Sequence, residues 1–156
     1  VKTGRSGAAA AAGHDLDIEV TSWEATLEGG DAPSVTLTAD ATSLKVVTGK
    51  GGMKTLTEDD KADIKKSIDK DVLKSKAITF TSTSVEDNGG ALAVKGDLEI
   101  AGKSGPAEFT LTVGDDGSVS GSTTLSQKSF GIKPYSALFG ALKVNDDVEI
   151  VVDGKV

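Results

Sequence analysis

The sequence predicts an all-β fold: one antiparallel, eight-stranded barrel with a single α-helix around residues 58–74. Three observations carry this reading. Most of the chain divides into short segments that alternate apolar and polar side chains, the mark of strands with one buried and one wet face. These segments are separated by Gly-, Asn- and Asp-rich turns, and a single stretch carries a four-residue apolar repeat instead. Finally, about eight strands in one continuous chain leave exposed sheet edges unless the sheet closes. A barrel of that size has an interior that side chains can fill or that can hold one small ligand.

The clearest segment is Ala77 to Val113. It reads as a three-stranded meander, with turns at Asp87-Asn88-Gly89-Gly90 and at Lys103-Ser104-Gly105-Pro106. Leu92, Val94, Leu98 and Ile100 share one face, and Lys95, Asp97 and Glu99 take the other. Asn-Gly supplies the positive φ that a hairpin turn needs, and Pro106 is expected where no ladder donor is required.

Taken in order, the chain begins with Val1-Lys2-Thr3, the expected stub of a first strand. The first residue is Val, so the chain is expected to be processed or cut. His14 to Val20 alternates strictly, with His14, Leu16, Ile18 and Val20 inward. At Trp23 the apolar parity switches to odd positions (Trp23, Ala25, Leu27), as one extra residue near Thr21-Ser22 would produce, that is, a β-bulge. A turn at Gly29 to Pro33 leads to inward Val35, Leu37 and Ala39. Leu44 to Thr48 is a short strand, followed by a Gly-rich connector, Gly49 to Gly52. Thr57 with Asp60 forms a capping-box-like start, and Ile64, Ile68 and Val72 give the helix one inward stripe. After the meander come a turn at Asp115-Asp116-Gly117, a weak strand from Ser118 to Ser126, a loop or short helical turn from Tyr135 to Leu142, and a last strand from Asp147 to Asp153.

Composition bounds the function. The 156 residues suit one domain, 1–156, whose N-terminus is expected to be cut short. Apolar residues are 37% and only six side chains are aromatic, so the interior must be built from Val, Leu, Ile and Ala. A net charge of −7 opposes nucleic acid and anionic membranes as partners. With no Cys, disulfides and thiolate metal sites are excluded. No apolar run approaches the roughly 20 residues of a membrane-spanning helix. The run Ala8 to Ala12 is too short for a signal-peptide core, which leaves periplasmic, secreted and cytoplasmic locations all open.

Five ordered blocks resemble the YceI-like family. Ile78 to Val85 (ITFTSTSV) is similar to its I-x-F-x-S-x-x-V strand, and Val94 to Gly102 (VKGDLEIAG) to its V-x-G-x-L-x-I-x-G block. Pro106 to Val113 resembles P-V-x-L-x-V, Ser129 to Ile132 (SFGI) resembles D-F-G-I, and Val144 to Val152 the closing V-x-D-x-V-x-I-x-V strand. The match covers about half the chain, and the front half looks like a shorter bacterial branch. The resemblance implies a lipocalin-like barrel that binds a long isoprenoid or other lipid-like chain in an apolar tunnel, and pairing as a homodimer. No cofactor is expected.

The expected apolar lining is Leu16, Ile18, Trp23, Phe80, Leu98, Ile100, Phe109, Leu111, Phe130 and Phe139. Each also suits ordinary core packing, but inward Ala, Gly and Val leave volume that so few large side chains do not fill. The expected polar mouth is His14, Lys50, Lys54 and Tyr135. His14 suits a ligand head group, a general base, or simply a buried ring held by a backbone or hydroxyl partner. Catalysis by His14 is the weakest reading, because no oriented partner is readable beside it. Gly49 to Gly52 lacks the spacing of a phosphate loop. The paired aspartates at 59–60, 115–116 and 146–147 suit helix starts and turns, so no metal is expected. The sequence therefore points to a non-enzymatic carrier of an isoprenoid or fatty acyl chain. The alternative is a filled, ligand-free interaction barrel acting as a homodimer.

Overall fold

A computed structural model of the chain describes residues 1–156. Twelve strands and one α-helix follow in order: β1 (Arg5–Ser6), β2 (His14–Val20), β3 (Trp23–Glu28), β4 (Ser34–Ala39), β5 (Leu44–Gly51), α1 (Glu58–Ser67), β6 (Ile78–Asp87), β7 (Ala91–Ile100), β8 (Lys103–Val113), β9 (Ser118–Ser126), β10 (Ser136–Ala137), β11 (Leu142–Val144) and β12 (Asp147–Lys155). Seven of them form one antiparallel sheet in the order β12-β9-β8-β7-β6-β4-β3, and β2 pairs with β5.

The sheet curls into a barrel with seven wall strands, because β2 and β3 run on as one strand and β4 and β5 as its partner; the extended segment Val1 to Thr3 is the eighth. The joint between them is hydrogen bonded: Asp40 N donates to Ser22 O at 3.0 Å and Thr21 N to Ser43 O at 3.2 Å. The parity switch at Thr21-Ser22 is thus where the sequence places it, but its form differs. Both partners break there, the second through a 3₁₀ turn at Ala41–Ser43 capped by Asp40. The one-residue bulges lie elsewhere, at the register shifts beside Asp17/Ile18 and Ser82/Ser84.

Val1 to Thr3 closes the ring. Lys2 exchanges two backbone hydrogen bonds with Glu149 of β12, at 2.8 and 3.0 Å, while Thr3 N donates to Leu16 O and Ile18 N donates to Val1 O in β2. The closure is partial. On one side of the barrel β5 runs past β6, and the helix packs across that space: Ile64 and Ile68 lie against Leu44, Val46 and Leu73. On the other side β3 and β12 face each other without a backbone pair, leaving a lateral slit.

Local chemistry explains the elements. Thr57 Oγ1 accepts from Asp60 N, and Asp60 Oδ2 accepts from Thr57 N at 2.9 Å, a complete capping box. The helix continues from α1 into a wider turn at Ile68–Val72, where Leu73 N donates to Ile68 O, five residues back. A wider turn holds more residues, so an apolar repeat of four stays on one face. The meander has its first turn at Asp87 to Gly90, where Asp87 Oδ1 accepts from Gly89 N. The second turn is not at Lys103 to Pro106. It is the two-residue Ala101-Gly102, both at positive φ (53° and 76°), with Ile100 opposite Lys103. Such a pair matches the twist of the flanking strands. Pro106 sits inside β8, beyond the residues that pair with β9.

Two apolar clusters hold the molecule. One joins Val35, Phe80, Val94, Leu98 and Leu111 to Phe130 and Ile132, and the other holds the helix. Phe130 and Ile132 reach the interior from a 3₁₀ turn at Gln127–Phe130. Asp146 fixes that turn by accepting from Ser126 Oγ (2.6 Å) and Lys128 N (2.8 Å).

Thr57→Ala removes the cap acceptor. It is expected to lower stability by about 1 kcal/mol, read as a drop in Tm. The Asp60 carboxyl is held down from 3.8 to about 2, first by the Thr57 backbone N–H and then by Lys54. Its folded pKa lies below the unfolded value, so its contribution is complete above that value and fades as pH falls from about 4 toward 2. In Asp60→Asn, urea melts should lose this part of the acid dependence.

Candidate functional site

Only 16 of 156 residues are buried, a sparse core for a chain of this length. The reason is a cavity of about 1030 Å³ that runs through the barrel, with 36 hydrophobic residues among the 55 that line it. Strand alternation builds its walls: Leu16, Ile18 and Val20 from β2, Val35, Leu37 and Ala39 from β4, Leu98 and Ile100 from β7, Phe109 and Leu111 from β8. The helix contributes Ile64, Ile68 and Val72, and β12 contributes Val148, Ile150 and Val152. Phe80 and Phe109 form a tilted aromatic pair in the wall, with ring centroids 4.9 Å apart.

Nine of the ten apolar residues singled out from the sequence line this cavity: Leu16, Ile18, Trp23, Phe80, Leu98, Ile100, Phe109, Leu111 and Phe130. Phe139 does not. It stands fully in solvent at the tip of a turn, because φ of +54° swings it away from the barrel. Trp23 is a rim residue. It is 42% exposed at the start of β3, and a Cβ added to Gly154 of β12 would stand 3.1 Å from its Cη2. The indole therefore spans the slit between the two unpaired edges.

The polar residues separate. His14 and Tyr135 line the cavity, and Tyr135 is half exposed. Lys50 and Lys54 do not line it. Lys50 turns outward to Asp17 (3.6 Å), and Lys54 turns to Asp60 (3.1 Å). Each lysine finds a carboxylate in water, which a dry cavity would deny it.

His14 is held by backbone: its Nε2 lies 2.7 Å from Lys54 O. A carbonyl can only accept, so Nε2 carries the proton and Nδ1 keeps its lone pair when the ring is neutral. Asp15, the adjacent acid, pairs with Arg5 instead.

Arg5 is a cavity-lining residue that strand patterning missed. Its guanidinium lines the cavity end, donates to Lys50 O at 2.7 Å and pairs with Asp15 at 3.1 Å. Its signal in the sequence is that it is the sole arginine beside sixteen lysines. Arg5 and His14 also account for the glycines after Thr48. Gly49 to Gly51 are not a loose connector but the end of β5, paired with Leu16, Asp15 and His14. Gly51 and Gly52 have φ of +81° and +75°, and a Cβ on either would collide with the Arg5 guanidinium or the His14 ring.

The comparisons with known proteins follow this geometry. The YceI-like domain family model matches residues 4–156, almost the whole chain. The chain belongs to the YceI-like family. Among curated proteins, none matches this YceI-like chain. Solved structures share its fold. BcnA of Burkholderia cenocepacia superposes with a TM-score of 0.66 at 18% identity, over 87% of this chain and 84% of that one. The YceI protein of Campylobacter jejuni gives 0.66 at 14% identity, over 90% and 83%. A mutant of it with a monobromobimane guest gives the same values. At such identities the shared property is the barrel.

Gly52→Ala adds a side chain at positive φ against the His14 ring. It is expected to lower Tm and to raise amide exchange along the end of β5, while the helix amides keep their protection. Unchanged exchange would mean that the His14 contact does not hold this loop.

Proposed function

We propose that this YceI-like barrel binds and carries, without transforming, a long apolar or amphipathic molecule, with an isoprenoid or fatty acyl chain as its apolar part. The observation that supports this most is the cavity of about 1030 Å³ with its mostly hydrophobic wall. Ligand pockets are commonly about 300–1,000 Å³, so the volume suits an extended chain. Affinity would come from apolar burial, about 0.8 kcal/mol per CH₂. A filled interior, the competing expectation, accords poorly with 16 buried residues. Polar selection would fall to the end where His14, Arg5 and Tyr135 meet the cavity. There His14 Nδ1 accepts a hydrogen bond from a hydroxyl or amide, and the Tyr135 hydroxyl donates or accepts. The slit beneath Trp23 supplies the lateral entrance for a molecule too long to enter end-on.

The direct test is native mass spectrometry of gently purified protein, followed by solvent extraction. A stoichiometric adduct that extracts as a lipid is expected. A clean apo mass, with no uptake of added oleate or a prenyl alcohol, would dismiss the reading. Ile150→Trp places an indole in the cavity and should weaken fatty-acid uptake about tenfold, equivalent to two displaced CH₂ groups. Trp23 is the only tryptophan. On ligand addition to the unmodified protein, its emission should shift to the blue as the chain excludes water from the slit.

A second reading is favoured by one observation, the unpaired edges of β3 and β12. Free edges invite pairing with another chain, so the barrel would act as a homodimer through them. Sedimentation distinguishes the two: a dimer that excludes added fatty acid supports the interaction barrel, and a monomer that takes it up supports the carrier.

A further inference from the structure

The turn that displaced Phe139 from the cavity is itself unusual. β10 and β11 form a small hairpin that pairs with β1 at the cavity end holding Arg5. At its tip Leu138 and Phe139 both lie at positive φ, 52° and 54°. Two consecutive bulky residues in the left-handed region are strained, and Gly or Asn would meet the backbone requirement without that strain. The strain faces outward: Leu138 is 57% exposed and Phe139 fully exposed, with Tyr135 half exposed nearby. Packing therefore does not explain the choice of residues.

The surrounding charge is equally particular. In a chain of net charge −7, residues 127–144 carry Lys128, Lys133 and Lys143 and no acid. None of the three lysines forms an ion pair. The segment packed beside the tip, where Ala9 N donates to Ala141 O at 2.8 Å, is also free of acids through residue 14. A Cβ on Gly140 would lie 3.7 Å from Lys143 Cε, which sets that lysine stem next to the apolar tip.

We propose that this hairpin docks the barrel on an anionic phospholipid bilayer: Leu138 and Phe139 enter the acyl boundary, and Lys133 and Lys143 meet lipid phosphates. Apolar insertion combined with nearby basic residues is how interfacial elements hold to charged membranes. The net charge of −7 counts against anionic membranes when taken over the whole molecule, but screening confines each charge to about 8 Å at physiological ionic strength, so the local charge decides. What an approaching surface meets first is the acid-free hairpin, and Asp15 at this end is paired with Arg5. That end adjoins the cavity, since Tyr135, Leu142 and Lys143 also line it, so docking would bring the barrel interior toward lipid. Docking does not rest on the carrier reading: flotation reports on the protein whether or not the cavity is loaded, and uptake of soluble fatty acid reports on the cavity without a bilayer.

The test is flotation with vesicles of phosphatidylcholine alone and of phosphatidylcholine with phosphatidylglycerol, at low, physiological and high salt. The protein is expected to float with the anionic vesicles and to lose this at high salt. The double variant Leu138→Asn/Phe139→Asn should lose binding about tenfold or more. Its Tm should hold or rise, since Asn tolerates the left-handed backbone. Lys133→Gln and Lys143→Gln should each weaken binding about fivefold. Equal flotation of the double variant, equal binding to neutral vesicles, or no binding to either vesicle overturns the proposal. So does self-association that the double variant abolishes while vesicles are ignored, which would assign the tip to a second copy of the chain.

Discussion

Closure of the sheet is the constraint on which the rest of the molecule depends. Seven wall strands and the short N-terminal segment that ties β2 to β12 set the barrel diameter through their number and stagger, whatever side chains point inward. Here the inward positions are held mainly by Val, Leu, Ile and Ala, with few rings to fill the middle. Backbone hydrogen bonding thus demands a radius that this set of side chains does not fill. The cavity is the difference between the two. It also explains why two small clusters, one around Val94 and Phe80 and one around the helix, replace a single deep core.

Closure is uneven, and the unevenness positions every feature of the site. Where β5 outruns β6, a helix rather than a strand covers the wall, and it brings its own apolar stripe to the cavity. Where β3 parts from β12, Trp23 spans the gap over Gly154. Between these, three residues of extended chain tie β2 to β12. The Arg5 and His14 contacts to the end of β5 then lock the cavity end onto the same seam. The parts that hold the barrel shut and the parts that border its cavity are therefore largely the same residues.

The relatives show which of these features belong to the fold. BcnA and the Campylobacter YceI protein share the architecture at 14–18% identity. Architecture survives such divergence because closure depends on backbone pairing and on alternation of residue type rather than on particular side chains. The lining and the mouth are free to differ.

Much of this was legible in the residues themselves. Period-two alternation identified the long strands and their inward faces, from Leu16 and Ile18 through Leu98 and Ile100 to Ile150, because a strand buries one face only. The four-residue repeat and the Thr57–Asp60 box identified the helix, because capping is a contact between neighbours in sequence. What the sequence left open depends on residues distant along the chain. Gly51 and Gly52 read as a slack connector because nothing local shows that a guanidinium and an imidazole need their space. Lys50 and Lys54 read as mouth residues until Asp17 and Asp60 turned out to hold them outside. Phe139 read as lining because hydrophobicity is local, whereas its outward direction follows from a hairpin anchored to β1. By itself, then, the sequence determined the strands, the helix and which faces are apolar. The tertiary structure decided how much space those faces enclose, where the wall opens and which polar groups stand at its end, since each is set by the distance between strands that only closure brings together.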